Sequence, residues 1–443
     1  MMGLRCFFNK LGITEGAITD ENFELSRRRF IIEGCLANAI YTLTSGAFLV
    51  GYASYLGASD QFNGILVALP LLANIIQMFS PLLLEKLSRR KGLIVALCLF
   101  YRTLLGLMMF IPLITDSKQL RLIILASMYF VAYCANGFLS PAAGSWIISL
   151  VHERQRGRYF GVRDMCILAT AAVLSLVMGR VLDWFKSNQL DYLGFVVVFS
   201  VALVITALNF LTLKSIKEPE VTVLNRDLNV KRLISIPLKD KQFRKVVILN
   251  IVWNLCVQFA LPFFSVYMVN GLKLSYTYIM VVGIILSCVQ SYSARIWGKI
   301  SERKGWEFTT VASMAALGIV HFTWIFINKN TYFFIIPFVQ VLAGIGWAGV
   351  NLSLFNIQFK YAPQEGRTIF VGFNAALAGG AGFFSALMGS VLVGVLSRVK
   401  LDIVVTVLDN MLILFGISGL MILCCAAFFS WWFKDIAGEN KQP

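Results

Sequence analysis

Polar clusters interrupt long apolar runs at near-regular intervals along this chain. Twelve runs fall near residues 34–56, 62–84, 93–114, 121–150, 165–185, 192–213, 246–270, 277–297, 307–327, 332–357, 369–396 and 409–433. A helix crosses the hydrocarbon core of a bilayer with roughly 20 residues, and peptide groups in oil must satisfy one another within the helix. The pattern predicts an all-α polytopic protein with twelve transmembrane helices. After the sixth run the sequence turns polar from Lys214 to Lys245, with Pro219, Pro237 and nine basic residues, and then becomes apolar again. That stretch separates two sextets. The expected layout is an N-terminal segment 1–30, a first bundle 31–213, a basic linker 214–245, a second bundle 246–435 and a tail 436–443.

Composition agrees with lipid as the main solvent. Hydrophobic residues make up 58% and charged residues 14% of the chain, against about 45–50% apolar in soluble domains. The formal charge of +16 would point to nucleic acid in a soluble protein. Its placement argues otherwise. Of 39 Lys and Arg residues, 30 lie on the side that bears the N-terminus, the even-to-odd loops and the C-terminus, seven lie in the opposite loops, and Arg102 and Arg180 fall within runs. This is the positive-inside bias, so both termini are expected in the cytosol and the protein in a cytoplasmic (inner or plasma) membrane. The linker's charge also suits the anionic inner leaflet. Nucleic acid is excluded as a partner. The first thirty residues are mostly polar and end in Arg27, Arg28 and Arg29; the apolar run after them is too long for a cleaved signal and is expected to stay as an anchor. Nine cysteines form neither a disulfide framework nor a zinc spacing, and no metal or cofactor is expected.

Two segments occur twice. KLSRRKG, Lys86 to Gly92, returns as KISERKG, Lys299 to Gly305, an offset of 213 residues. RGRYFGV, Arg156 to Val162, resembles EGRTIFVGF, Glu365 to Phe373, with Gly-Arg displaced by 209 residues. Similar loops in the same order indicate an internal duplication, the layout of a carrier whose halves rock against each other.

With these segments the chain resembles the major facilitator superfamily over residues 31–435. Gly298, Ile300, Ser301, Glu302, Arg303 and Gly305 sit at the positions of that family's G-x-L-a-D-r-x-G loop, with Glu in place of Asp. In the first copy Leu87, Ser88, Arg90 and Gly92 fit, while Glu85 replaces the first Gly and Arg89 the acid. The resemblance implies a cytosolic gate at Arg90, Gly92, Gly298, Glu302, Arg303 and Gly305, with Glu302 as the latch acid near Arg295. Both Gly92 and Gly305 are expected in tight turns at positive φ.

A carrier of this type binds its solute near midplane, between the halves. Polar residues recurring every three or four positions mark candidate walls. The seventh run carries Asn250, Asn254, Gln258 and Ser265; the tenth Gln340, Trp347, Asn351 and Gln358; the fourth Tyr129, Tyr133, Asn136 and Ser140; the first Asn38, Thr42 and Ser45. The candidate substrate-binding set is Asn38, Thr42, Tyr133, Asn136, Asn254, Gln258, Gln290, Trp347 and Asn351. No acid lies in the middle of these runs: Glu33 is placed at the cytosolic start of the first, Asp164 and Asp183 at the ends of the fifth. An unpaired charge in hydrocarbon is costly, so the expected cargo is small, neutral and polar, with carboxamides and an indole suited to a sugar-like molecule. Arg102 and His321 are the candidate coupling residues, with H+ or Na+ as the coupling ion. No Walker A, HExxH or nucleophile-elbow segment occurs, which points to secondary transport, as a symporter or uniporter, by a monomer and not an enzyme. The rival readings are an exporter of amphipathic drug-like compounds and, in another class, a polytopic membrane enzyme or sensor.

Overall fold

The computed structural model describes residues 20–84, 87, 89–152, 155–218, 230–363, 367–398, 401–403 and 406–439. Residues 1–19 of the N-terminal segment, Glu85, Lys86 and Ser88 of the first basic loop, 219–229 of the linker, Glu365 and Gly366 of the second Gly-Arg segment and 440–443 of the tail lie outside them.

Eleven helical elements are long and apolar enough to span a bilayer. The first seven are α1 (Glu24–Tyr55), α2 (Asp60–Leu84), α3 (Lys91–Ile114), α4 (Lys118–Ser149), α5 (Arg156–Ser187), α6 (Asp191–Ser215) and α7 (Lys241–Gly271). The eighth, Tyr276–Phe326, has 51 residues. At 1.5 Å per residue it is more than twice as long as the hydrocarbon core is thick. It is broken at Gly305, whose φ of 85° and ψ of 161° are not helical, so 276–304 is taken as α8 and 306–326 as α9. Then follow α10 (Tyr332–Tyr361), α11 (Ile369–Val395) and α12 (Asn410–Trp432). Twelve crossings result, as the hydropathy pattern predicts. Among the described residues the one sheet is a hairpin between α11 and α12, β1 (Leu401–Ile403) antiparallel to β2 (Thr406–Leu408).

Short polar residues set the helix starts. Ser117 accepts from the Leu120 amide before α4, Asp240 from Gln242 and Phe243 before α7, Ser275 from Tyr278 before α8, and Asp409 from Met411 and Leu412 before α12. Each satisfies amides that the first turn leaves free. For α3 the cap comes from far along the chain. The Glu218 carboxylate, only 2% exposed, accepts from the Arg90 amide at 2.9 and 3.0 Å and the Lys91 amide at 2.8 Å. Its neighbours are tied down too: Trp146 Nε1 donates to the Lys217 carbonyl, the Lys217 amide to Ser26 Oγ, and Arg29 to the Ser215 carbonyl.

The chain forms two compact units, Met1–Leu49 with Ala73–Leu233, and Val50–Leu72 with Ile234–Pro443. In the first, α1 packs on α5 and α6, and α3 on α4 and α6. Phe30, Ile94, Cys98, Leu139, Trp146 and Leu213 are among the side chains of its core cluster. In the second, the α8–α9 element packs on α10 and α12, and α7 on α11, around Trp253, Met314, Leu317, Val350, Ile422 and Phe429. Residues 50–72 are held in that unit by polar contacts: Asn63 Nδ2 donates to Ser54 Oγ (3.0 Å), Ser54 Oγ to Asn270 Oδ1 (3.1 Å), Asn270 Nδ2 to Asp60 Oδ1 (2.7 Å), and Ser390 Oγ to the Gln61 carbonyl (2.9 Å). Large side chains such as Phe334, Leu113 and Val395 are exposed, as expected where the surrounding solvent is lipid.

Candidate functional site

In the first unit the helices line a partly open cavity of about 330 Å³. Its polar lining comes from Asn38 and Tyr41 of α1, Tyr101 and Arg102 of α3, Tyr133 and Asn136 of α4, and Arg163 of α5. Four of these, Asn38, Arg102, Tyr133 and Asn136, are candidates from the sequence pattern, and the fold brings them from α1, α3 and α4 to one cavity.

Behind that lining lies a buried charge network. Arg102, 5% exposed, donates from Nη2 to Glu33 Oε1 at 3.3 Å and from Nε to the Tyr101 hydroxyl at 2.9 Å, and its Nη1 contacts Asn209 Oδ1. Asn209 in turn donates to the Glu33 carbonyl at 3.2 Å. Arg163 Nη2 stands 3.8 Å from Glu33 Oε2, and its Nη1 3.8 Å from Asp164 Oδ1. Desolvating an ion pair is tolerable only when its remaining donors and acceptors are met, and for Arg102 they are.

Glu33 is thus not at a helix start. The first helix begins at or before Glu24, nine residues earlier, and places this acid inside the bundle. Arg163, which precedes the fifth apolar run at 165–185 and so counts among the loop residues in the sequence, lies in α5, seven residues past its start. The expectation of a neutral cargo starts from the lack of an acid in the middle of the candidate runs; beside the cavity the fold nonetheless holds buried charge, in Glu33 and Arg102. Tyr41 had a readable signal, three residues beyond Asn38 on the same stripe. Tyr101 and Arg163 carried none in the apolar pattern.

The other candidates are placed as follows. Thr42 is half-buried and donates to the Asn38 carbonyl at 2.9 Å, a bond within its own helix. In the second unit, Asn254 donates to the Asn250 carbonyl at 2.9 Å. A Cβ on Gly382 would lie 3.1 Å from Gln258 Cγ and 3.4 Å from Asn254 Oδ1, so α11 approaches α7 closely there. Trp347 meets Trp253 edge-on at 6.1 Å. Gln290 is half-buried and Asn351 exposed. His321 is 1% exposed, shares a 2.9 Å hydrogen bond with Ser418 Oγ, and stands edge-on to Phe264 at 4.8 Å. Ser418 Oγ donates in turn to the Cys256 carbonyl at 3.1 Å, so His321 Nδ1 is held in a buried hydrogen-bonded chain.

At the gate segments, Gly305 has the positive φ expected of it, and Gly92 does not. Among the described residues the glycines at positive φ are Gly46, Gly57 and Gly305, and Gly92 is the second residue of α3. The Arg90 amide is engaged by Glu218, as described, and its Nε reaches the Leu87 carbonyl at 3.4 Å. Gly298 is helical, and Glu302 and Arg303 are exposed. The acid with a defined cross-helix partner is Glu307, 3.3 Å from Lys360 Nζ.

Residues 31–387 match the sequence model described as Major Facilitator Superfamily. No protein of curated function matches the sequence. In fold the chain is similar to the nucleoside transporter NupG (TM-score 0.62, 12% identity, 92% of this chain and 99% of that one). It is similar also to a bacterial homologue of the iron transporter ferroportin in its inward-facing state (0.66, 14%, 92% and 98%). A third likeness is to the xylose transporter XylE from E. coli in a partially occluded inward-open conformation (0.65, 12%, 92% and 97%).

Proposed function

The chain belongs to the major facilitator superfamily, and from that premise we propose that it is a secondary carrier that moves a small polar solute by alternating access, using the cavity of the first unit as part of its binding site. The observation that carries this reading is the cavity itself: about 330 Å³ of space lined by amides, phenols and guanidinium groups inside helices of membrane-spanning length. Polar groups at membrane depth are costly unless they pair or meet a solute. The volume lies at the lower end of ligand pockets, which favours a small cargo over a bulky amphipathic drug.

The excess of Lys and Arg on one set of loops supports cytosolic termini, and the linker's charge supports contact with an anionic leaflet. The Glu33–Arg102 pair is the candidate for coupling to H+ or Na+. Its acid is a buried carboxylate paired with an arginine of the cavity lining, whereas His321 sits in an aromatic cluster of the second unit.

Counterflow in proteoliposomes tests the proposal. A preloaded unlabelled solute should accelerate uptake of its labelled form, and Asn136→Ala should slow that exchange roughly tenfold through loss of one well-placed hydrogen bond. A chemically altered product without trans-stimulation would instead indicate an enzyme.

A further inference from the structure

We infer that the cargo is a small organic anion and that Arg163 is the group that receives its carboxylate or phosphate oxygens. This rests on the reading of the cavity as the solute site. The lining contains two guanidinium groups, Arg102 and Arg163, and no carboxylate. The nearest acid, Glu33, pairs with both, closely with Arg102 at 3.3 Å and loosely with Arg163 at 3.8 Å. One acid against two bases leaves a positive charge in excess. The remaining neighbour, Asp164, lies outside the cavity lining, with a side chain 72% exposed, and stands 3.8 Å from Arg163, beyond hydrogen-bond length.

The two arginines are in different states. Arg102 is fully engaged, by Glu33, Tyr101 and Asn209. Arg163 is not. Its ion-pair distances exceed hydrogen-bond length, and its buried Nε has no hydrogen-bond partner. A buried donor left open is costly in a folded protein, and here it belongs to a group on the cavity wall. A Cβ on Gly34 would lie 2.7 Å from Arg163 Nη2 and 2.8 Å from Ile167 Cδ1, so the guanidinium packs closely against α1 there. A planar fork in that position suits two anionic oxygens. The hydroxyl of Tyr41 and the amides of Asn38 and Asn136 stand on the same cavity wall and offer further donors. A cationic solute would find no free acid there.

The test is ligand-induced thermal stabilisation of the purified full-length protein in neutral detergent, with matched pairs as probes: lactate and lactamide, succinate and succinamide, glycerol 3-phosphate and glycerol. Dihexanoyl phosphatidylglycerol, against its phosphatidylcholine counterpart, represents a lipid headgroup. At least one soluble anion should stabilise the wild type saturably while its neutral partner does not. Arg163→Gln should weaken that apparent Kd roughly 10- to 100-fold, as expected for loss of charge-assisted hydrogen bonds, and Arg163→Lys, which keeps the charge but loses the fork, should fall between Arg163→Gln and the wild type. Equal shifts from neutral partners, unchanged anion binding in Arg163→Gln, a response to phosphatidylglycerol alone, or no shift from any anion would each overturn the inference. The wild-type comparison needs no variant and stands if Arg163→Gln fails to fold. Counterflow that persists without anion binding would sink this inference alone; anion binding without counterflow would sink the carrier reading and leave the site.

Discussion

At the scale of single residues, what decides the behaviour of the first unit is whether a buried polar group keeps its partner. Removing one member of a buried ion pair strands the other, at a cost of about 3–5 kcal/mol, while replacing both by apolar groups can be nearly neutral. The side chains of Arg102 and Glu33 are 6% and 11% exposed. Arg102→Met alone should therefore destabilise the protein by about 3 kcal/mol, and adding Glu33→Leu should recover at least half of that; unfolding in detergent read by tryptophan fluorescence, as a double-mutant cycle, measures both. If the double variant is as unstable as the single, the pair is not energetically coupled. Glu218→Ala removes the carboxylate that holds two amides at the start of α3, and a loss of about 1–2 kcal/mol is expected, as for other helix caps.

The next scale is that of elements, where the two copies of the basic loop part company. Gly305 sits at φ 85° and ψ 161°, a region essentially closed to other residues at a cost of about 1–3 kcal/mol. Gly92 is already helical, where alanine is favoured by up to about 1 kcal/mol. Gly305→Ala should lower the melting temperature and Gly92→Ala should leave it unchanged or raise it; size-exclusion of heated samples separates the two, and equal losses would refute the assignment. The sequence could not distinguish the copies because Lys-Gly occurs at the same place in both. What differs is the acid: in the first copy Arg89 stands where the second has Glu302, and the carboxylate arrives from Glu218, 127 residues after Lys91. Helix number and order were readable, since hydrocarbon thickness imposes a length on every apolar run. Helix starts were not. Averaging over apolar residues hides the polar opening segments of α1 and α5, and Glu33 and Arg163 come nine and seven residues after those helices begin.

On the scale of the whole molecule, an even number of crossings predicts that the start of α1, the end of α12 and the α8–α9 break share one face of the membrane. Single cysteines in a cysteine-free background test this with a membrane-impermeant maleimide. Lys118→Cys, before α4, should label on intact cells, and Lys304→Cys only after permeabilisation; the reverse pattern, or labelling of both, would break the topology. The candidate site was legible only in part for a related reason. A stripe of amides announces itself on one helix, as Asn38 and Asn136 do, but the pairing of Glu33 with Arg102 and Arg163 joins three helices and has no signature on any one of them. Glu218 carries a different implication. Because the cap of α3 is delivered by the chain just past α6, a gene split into two co-expressed fragments is expected to tolerate a cut after Glu218 much better than one after Ser215, which would leave the Arg90 and Lys91 amides bare on the first fragment.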